Sequence, residues 1–371
     1  MLKFSCEKAL LTNAISIVSR TVAAKSPISV LEGIYLQAGM QLQLTGYNME
    51  TGITVTVPAS VTEVGECVFP AKLLFDIVRR LPDETVTVSV DDKLHTSVVC
   101  GISVFNFSAE NAQEYPEFPG TEDARRIVSI PNRNLRELLS GTTFSVSDQV
   151  VRPIHTGVLF EKSETGIVAV ATDGFRLALR RWKSETPLEG EEKFVIPVAA
   201  LRETEKMLND SEDEVIISRT KLHMVIQIGD ATLVCRILEG EFMDWRKVLK
   251  REQTLIMTAR TNELYDSLER VGLMINEKYK SPVRCLFSKD TAEFRTDTPM
   301  GSARDCCTIA GDGRDFEIGF NCRYLLDALR VIPTEEVQME LTNNLSPIIF
   351  SPADGSESFT YLVLPVRVKT E

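Results

Sequence analysis

The sequence predicts an α+β protein built from three repeated units, each with two helices packed on antiparallel sheet. Two observations carry this expectation. A short alternating strand followed by an amphipathic helix opens the chain and recurs twice, and a second helix signal followed by a β run also occurs three times. Corresponding positions lie roughly 125 residues apart, about a third of the chain, so three copies fill it.

The first unit begins with Leu2 to Leu10, a short alternating strand running into a helix pattern. Leu10, Leu11, Ala14, Ile15 and Val18 then recur at helical spacing, while Lys8, Asn13 and Arg20 fall elsewhere on the wheel. Ile127 to Leu135 and Leu255 to Leu264 repeat the pattern. The second helix is expected within Phe69–Arg80, Ile196–Met207 and Phe320–Arg330. Pro70 and Pro197 are read as first helical residues, where the missing N–H does no harm, and Asn321 as an N-cap. After each comes an alternating run, Thr85–Val90, Glu214–Ser218 and Val337–Leu341, which predicts strands and places helices on one face of antiparallel sheet. Polar stretches at Pro116–Asp123 and Lys247–Gln253 mark the boundaries, giving domains 1–120, 126–247 and 252–371.

Composition narrows the function classes. The 371 residues are too many for one ordinary core, and 43% hydrophobic with 25% charged residues is close to the soluble average. Apolar runs such as Gly166–Ala171 fall far short of a bilayer span, and the N-terminus lacks the charged and apolar regions of a signal peptide. A cytoplasmic protein with no membrane partner is expected. The eight cysteines are scattered, most among apolar residues (Cys6, Cys67, Cys100, Cys235, Cys285), and read as small core residues in a reducing compartment. Cys306 and Cys307, adjacent on a strand, should point to opposite faces, which disfavours a disulfide between them. Three histidines supply little for a zinc site or a Ser-His-Asp triad, so no metal, cofactor or catalytic residue is expected. The net charge of −12 argues against indiscriminate binding of nucleic acid, yet basic groups gathered on one surface could still attract it weakly.

Five stretches, Arg152–Glu161, Ala171–Ala178, Glu239–Trp245, Asn276–Tyr279 and Tyr361–Arg367, occur in an order that resembles the bacterial DNA polymerase III beta subunit, the β sliding clamp family, along the whole chain. The resemblance implies a DNA clamp fold, with two chains meeting head to tail in a ring of six domains, helices lining the hole and sheets outside. Such a contact closes only if the repeats supply the right rotation. It also implies a non-catalytic processivity factor without cofactors, acting on duplex DNA without regard to sequence. The DNA polymerase III alpha subunit, a clamp loader, other polymerases and repair proteins are the partners it implies.

Lining helices would bring Lys8, Arg20, Lys72, Arg79, Arg80, Arg133, Arg136, Arg202, Lys206, Arg323 and Arg330 near DNA, softened by Asp76, Glu137, Glu203, Glu205 and Asp327. Charged residues on amphipathic helices can equally be a solvated face. By resemblance Lys25, Lys72, Arg80, Gln149, Arg152 and Arg202 approach phosphates, with no motif that reads bases. The family's partner cleft matches Thr172, Gly174, Phe175, Arg176 and Leu177, then Met243, Lys247 and Val248, then Tyr279, Asn321 and Tyr324. It continues with Leu345 and Pro347 and ends on Val363, Leu364, Pro365, Val366 and Arg367. One apolar pocket around Leu177, Val363 and Leu364 and a polar subsite near Asn321 and Arg367 are expected, although periodicity alone would also allow Leu177, Val363 and Leu364 to be strand core.

The sequence departs from the family pattern at three places. Phe175 stands where histidine is common, His155 where leucine is common and Met243 where proline is common, which puts the family's motif preference in question. For the dimer interface, Phe105 and Phe107 match contact positions opposed by Arg270, Leu273 and Met274 of the partner chain, the alternative being burial within a monomer. An enzyme is the rival class, but no phosphate-binding glycine loop, nucleophile elbow or metal-spaced set is present. A peptide-binding scaffold that ignores DNA is the second rival, separated from a clamp by whether the protein stays on circular DNA and leaves it after linearisation.

Overall fold

The computed structural model describes residues 1–149, 151–250, 255–275 and 281–367, apart from the side chain of Phe316. Seven α-helices occur among them, and all but the short fifth begin within two residues of the end of a strand. Helix α1 (Lys8–Val18) buries Leu11, Ala14, Ile15 and Val18, and packs on α2 (Ala71–Val78), which buries Leu74, Ile77 and Val78. The second repeat supplies α3 (Asn132–Ser140) and α4 (Val198–Met207). After the short α5 (Trp245–Leu249), the third supplies α6 (Thr261–Gly272) and α7 (Cys322–Arg330), which pack on each other.

One correction concerns the helix starts. Pro70 and Pro197 are each the last residue of a strand, Gly65–Pro70 and Glu192–Pro197, and the helix begins one residue later. The ring's fixed φ suits the corner as well as the first helical turn. Asn321 caps α7 as expected, its side chain accepting a hydrogen bond from the Arg323 N–H at 3.1 Å. The polar stretch read as a boundary after Lys247 begins inside α5, because Trp245 is buried and anchors that turn; its end, Arg251–Gln253, lies outside the described residues.

Contacts group the chain into two compact units, Met1–Leu135 with Ala199–Ile237, and Arg136–Val198 with Leu238–Glu371. The first unit holds a five-stranded antiparallel sheet that ends on the strand Ser103–Ser108, and an eight-stranded sheet. In the eight-stranded sheet Ala231–Arg236 of the second repeat pairs with Thr51–Val57 of the first, Leu233 opposite Ile53. The second unit holds a twelve-stranded sheet in which Arg176–Lys183 of the second repeat pairs with Phe359–Val363 of the third, Leu177 opposite Leu362. Two groups arise from three repeats because each half of the middle repeat continues the sheet of a neighbour.

The cysteines behave as read: all eight are free, Cys307 is buried and Cys306 beside it is exposed. No helix among the described residues is long and apolar enough to cross a membrane.

Candidate partner cleft and charged surfaces

The most strongly organised polar site grows from the turn between the strands Gly166–Thr172 and Arg176–Lys183. Asp173 Oδ1 accepts the N–H groups of Phe175 and Arg176 at 2.9 and 3.0 Å. Thr172 Oγ1 accepts the Gly174 N–H at 3.1 Å and donates to the Arg176 carbonyl at 2.7 Å. Gly174 takes a φ of 89°, a region that other residues avoid, so the turn can be this tight. Arg176 is held three ways. Its Nε donates to Asp173 at 2.9 Å, Nη1 to Asp327 of α7 at 2.7 Å and Nη2 to the Phe144 carbonyl at 2.7 Å. The guanidinium lies 4.3 Å from the Tyr324 ring centre, and Phe175, 58% exposed, stacks on the same tyrosine at 6.5 Å.

Beside the turn, buried Leu177 and Leu362 share an apolar cluster with Leu159, Val170 and Trp245, and Ile154, Phe242, Val248 and Leu364 pack against it partly exposed. Val363 does not join them. Side chains alternate along a strand, so Val363 turns to the opposite face and sits 1% exposed in the core around Phe350 and Tyr361. The terminal segment is pinned at two points, the Leu364 N–H donating to the Phe175 carbonyl at 2.9 Å and the Val366 N–H to the Gly319 carbonyl at 2.8 Å. Asn321 and Tyr324 lie on the first turn of α7 just after Gly319, and Pro365 is half-buried while Arg367 is exposed. Met243 is half-buried, Lys247 is exposed and paired with Asp244 at 3.3 Å, Pro347 is buried and Leu345 is 79% exposed. Tyr279 lies outside the described residues.

Sequence reasoning missed Asp173, Phe144 and Trp245, and assigned Asp327 to a helix surface facing DNA although it pairs with Arg176. An Asp three residues before an Arg in a glycine turn was a local signal for the first. The contacts of Phe144 and Asp327 are long-range, and no local pattern announces them. A further anchor stabilises α5: Glu161 accepts from Lys193 at 2.6 Å and from Arg246 at 2.7 Å, and Arg246 lies 4.1 Å from the Trp245 ring. Burial pushes the Glu161 carboxyl up, but those two hydrogen bonds outweigh it and hold it below its ordinary value. His155 packs edge-on to Phe242 at 5.3 Å, and burial, with Arg152 nearby, lowers its pKa.

Most of the basic positions fall on exposed surface, several already neutralised, whereas Lys8 and Arg20 are half-buried. Arg79 and Arg80 both pair with Asp76, at 3.0 and 2.8 Å, Arg133 with Glu212 at 2.6 Å and Lys206 with Glu203 at 2.7 Å. Lys25, Lys72, Gln149, Arg152 and Arg202 are exposed. At the candidate interface, Ser103–Ser108 is an edge strand, with Phe105 39% and Val104 57% exposed and Ile102 beside it fully exposed. Phe107 is only half-buried and meets Phe69 edge-on at 5.8 Å. Leu273 ends α6 at 81% exposure, Met274 follows it, and Arg270 is bonded to Asp305 and, at 3.1 Å, to Ser267.

Family models of the DNA polymerase III beta subunit match three consecutive parts of the chain: the N-terminal domain over residues 2–119, the central domain over 129–244 and the C-terminal domain over 246–367. The chain belongs to the DNA polymerase III beta subunit family. A beta sliding clamp of Staphylococcus aureus is 27% identical over 380 residues, covering 99% of this chain and all of the relative. A putative DNA polymerase III beta subunit from Eubacterium rectale superposes with a TM-score of 0.94 at 30% identity, covering 99% of this chain and 100% of that one. The sliding clamp of Bacillus subtilis does so at 0.93 and 27%, with the same coverage. The DNA polymerase III beta subunit family therefore supplies the three clamp domains seen here, helices packed on antiparallel sheets. The protein is a sliding clamp of the beta-subunit type, a processivity factor and a non-catalytic accessory subunit.

Proposed function

We propose that two copies of this clamp close head to tail around duplex DNA and carry partner proteins on the cleft built by Thr172–Leu177, α7 and the segment Val363–Arg367. The observation that supports the cleft is the pairing of a fixed polar station, Arg176 between Asp173 and Asp327, with a partly exposed apolar rim of Leu364, Val248, Ile154 and Phe242. A short peptide with a glutamine and an apolar end matches such a surface, apolar walls giving affinity and a few polar groups giving register. Leu177 is the floor of this rim and Val363 supports it from behind. The polymerase III alpha subunit, a clamp loader, other polymerases and repair proteins would take turns there.

The domains run 1–120, 126–247 and 252–371 on this reading, and the cytoplasm is the compartment. Lys25, Lys72, Arg80, Gln149, Arg152 and Arg202 approach phosphates, while a net charge of −12 keeps the hold weak enough for sliding. Retention on nicked circular DNA tests the proposal. Clamp loaded on circles should co-elute with them through gel filtration in 0.5 M salt and be lost once a restriction enzyme linearises the DNA; equal retention on both forms would replace encirclement with direct binding.

A further inference from the structure

One face of the strand Arg176–Lys183 carries Leu177, Leu179 and Arg181 in line, and the two leucines belong to the apolar cluster of the cleft. The other face carries Ala178, which lies in the core with Leu264 and Leu268 of α6. Arg181 therefore stands on the side of the sheet turned away from that helix, about 7 Å beyond Leu179.

Cations gather at this end of the cluster. Strand register sets Lys193 opposite Glu161, Glu161 opposite Val168 and Val168 opposite Arg181, a row about 14 Å long across four strands. Glu161, its side chain 9% exposed, serves both Lys193 and Arg246, which are 65% and 51% exposed. Arg181 is half-buried, its Nη1 donates to the Glu357 carbonyl at 2.9 Å, and among the described residues it forms no ion pair. Burial lowers its pKa, and Arg246 nearby lowers it further against the opposing pull of the exposed Glu357 carboxylate. Three cations thus share one close carboxylate, in a chain whose net charge is −12.

Building on the cleft proposed above, we infer that the row of Lys193, Arg246 and Arg181 is a shelf for acidic side chains of a partner peptide, next to the residues that anchor it in the apolar pocket. Continuity supports this occupant, because Trp245 belongs to the apolar floor and carries Arg246 on its ring, so the apolar and cationic surfaces adjoin. Guanidinium groups suit carboxylates, which they can hold through paired hydrogen bonds. Duplex DNA is the other polyanion at hand, but in the proposed ring the helices face it and this row faces away.

Three peptides test the shelf by fluorescence polarisation on the full-length protein: a glutamine-containing anchor with neutral ends, and the same anchor with aspartates added at one end or the other. In about 50 mM salt one acidic peptide should bind about three- to tenfold tighter than the neutral one, and the gain should shrink in about 0.5 M salt. Arg181→Ser should remove most of that gain and Arg181→Glu should turn it into a loss, while Lys289→Glu, at an exposed lysine of the third repeat, should leave it. Equal affinities of the three peptides for the parent, an unchanged gain in Arg181→Ser, or an equal loss in Lys289→Glu overturns the proposal. Failure of the neutral peptide to bind the parent would instead refute the cleft on which the shelf rests.

Discussion

Arg176 meets three fixed acceptors, and its neighbour Phe175 projects into solvent over Tyr324, so adjacent residues divide the cleft's work between rigidity and contact. Removing Arg176 leaves Asp173 and Asp327, whose side chains are 13% and 20% exposed, without their cation. Arg176→Ala should therefore cost about 3 kcal/mol of stability by urea denaturation as well as peptide affinity. Phe175→His removes a mostly exposed ring and should move stability by less than about 0.5 kcal/mol. It should still reorder affinities in a panel of glutamine-containing peptides read by fluorescence polarisation, because an aromatic surface is exchanged for a hydrogen-bonding one. Unchanged order would remove Phe175 from the recognition surface. Leu177 is a poor probe of the same site. At 3% exposure its truncation opens a core cavity, at about 2–5 kcal/mol, and any lost binding would be confounded by instability. Leu364, partly exposed on the same cluster, separates the two effects, and Leu364→Ala should weaken peptide binding by about 1–3 kcal/mol with little change in melting.

At the level of elements, the strand and helix of each repeat were legible because their apolar periods are clean, as in Leu11, Ala14, Ile15 and Val18 of α1. The five residues of α5 carry no such period, and only tertiary burial of Trp245 reveals that turn as anchored. The face of Val363 was legible in the alternation of Tyr361 to Leu364, but a position matched to the family's cleft does not say which way its side chain points. The acidic station under α5 gives a pH test. The folded Glu161 carboxyl titrates below its ordinary value, so its contribution to stability is full above the unfolded carboxylate range and fades as pH falls through the folded value. Glu161→Gln should lower the melting temperature at pH 7, and the gap to the parent should close as pH falls below about 4. A gap that stays constant with pH would mean that the ion pairs of Lys193 and Arg246 contribute nothing.

For the whole molecule, the middle repeat extends one sheet with the first and another with the third, a connection that strand periodicity cannot disclose because pairing partners lie over a hundred residues apart, as with Leu233 and Ile53. The five-stranded sheet of the first repeat, which no strand of the middle repeat extends, leaves Ser103–Ser108 as an edge, and from Val98 to Ala109 no residue carries a charge. An uncharged edge with Ile102, Val104 and Phe105 in solvent invites pairing, which suits the proposed head-to-tail contact with the end of α6 around Leu273. Phe107 is the wrong residue to charge, since it packs on Phe69 and its loss would damage its own domain. Val104 at 57% and Leu273 at 81% exposure lie outside the core. Val104→Asp with Leu273→Asp should therefore halve the mass seen by light scattering while leaving the monomer's melting near that of the parent, because only an intermolecular apolar contact would bury the new charges. A contact resting on apolar residues, with Arg270 already paired with Asp305, also implies that the parent stays dimeric between 0.1 and 1 M salt, where screening would weaken an interface held by ion pairs. A dimer that dissociates with salt, or one that survives both substitutions, would relocate the closure of the ring to other residues.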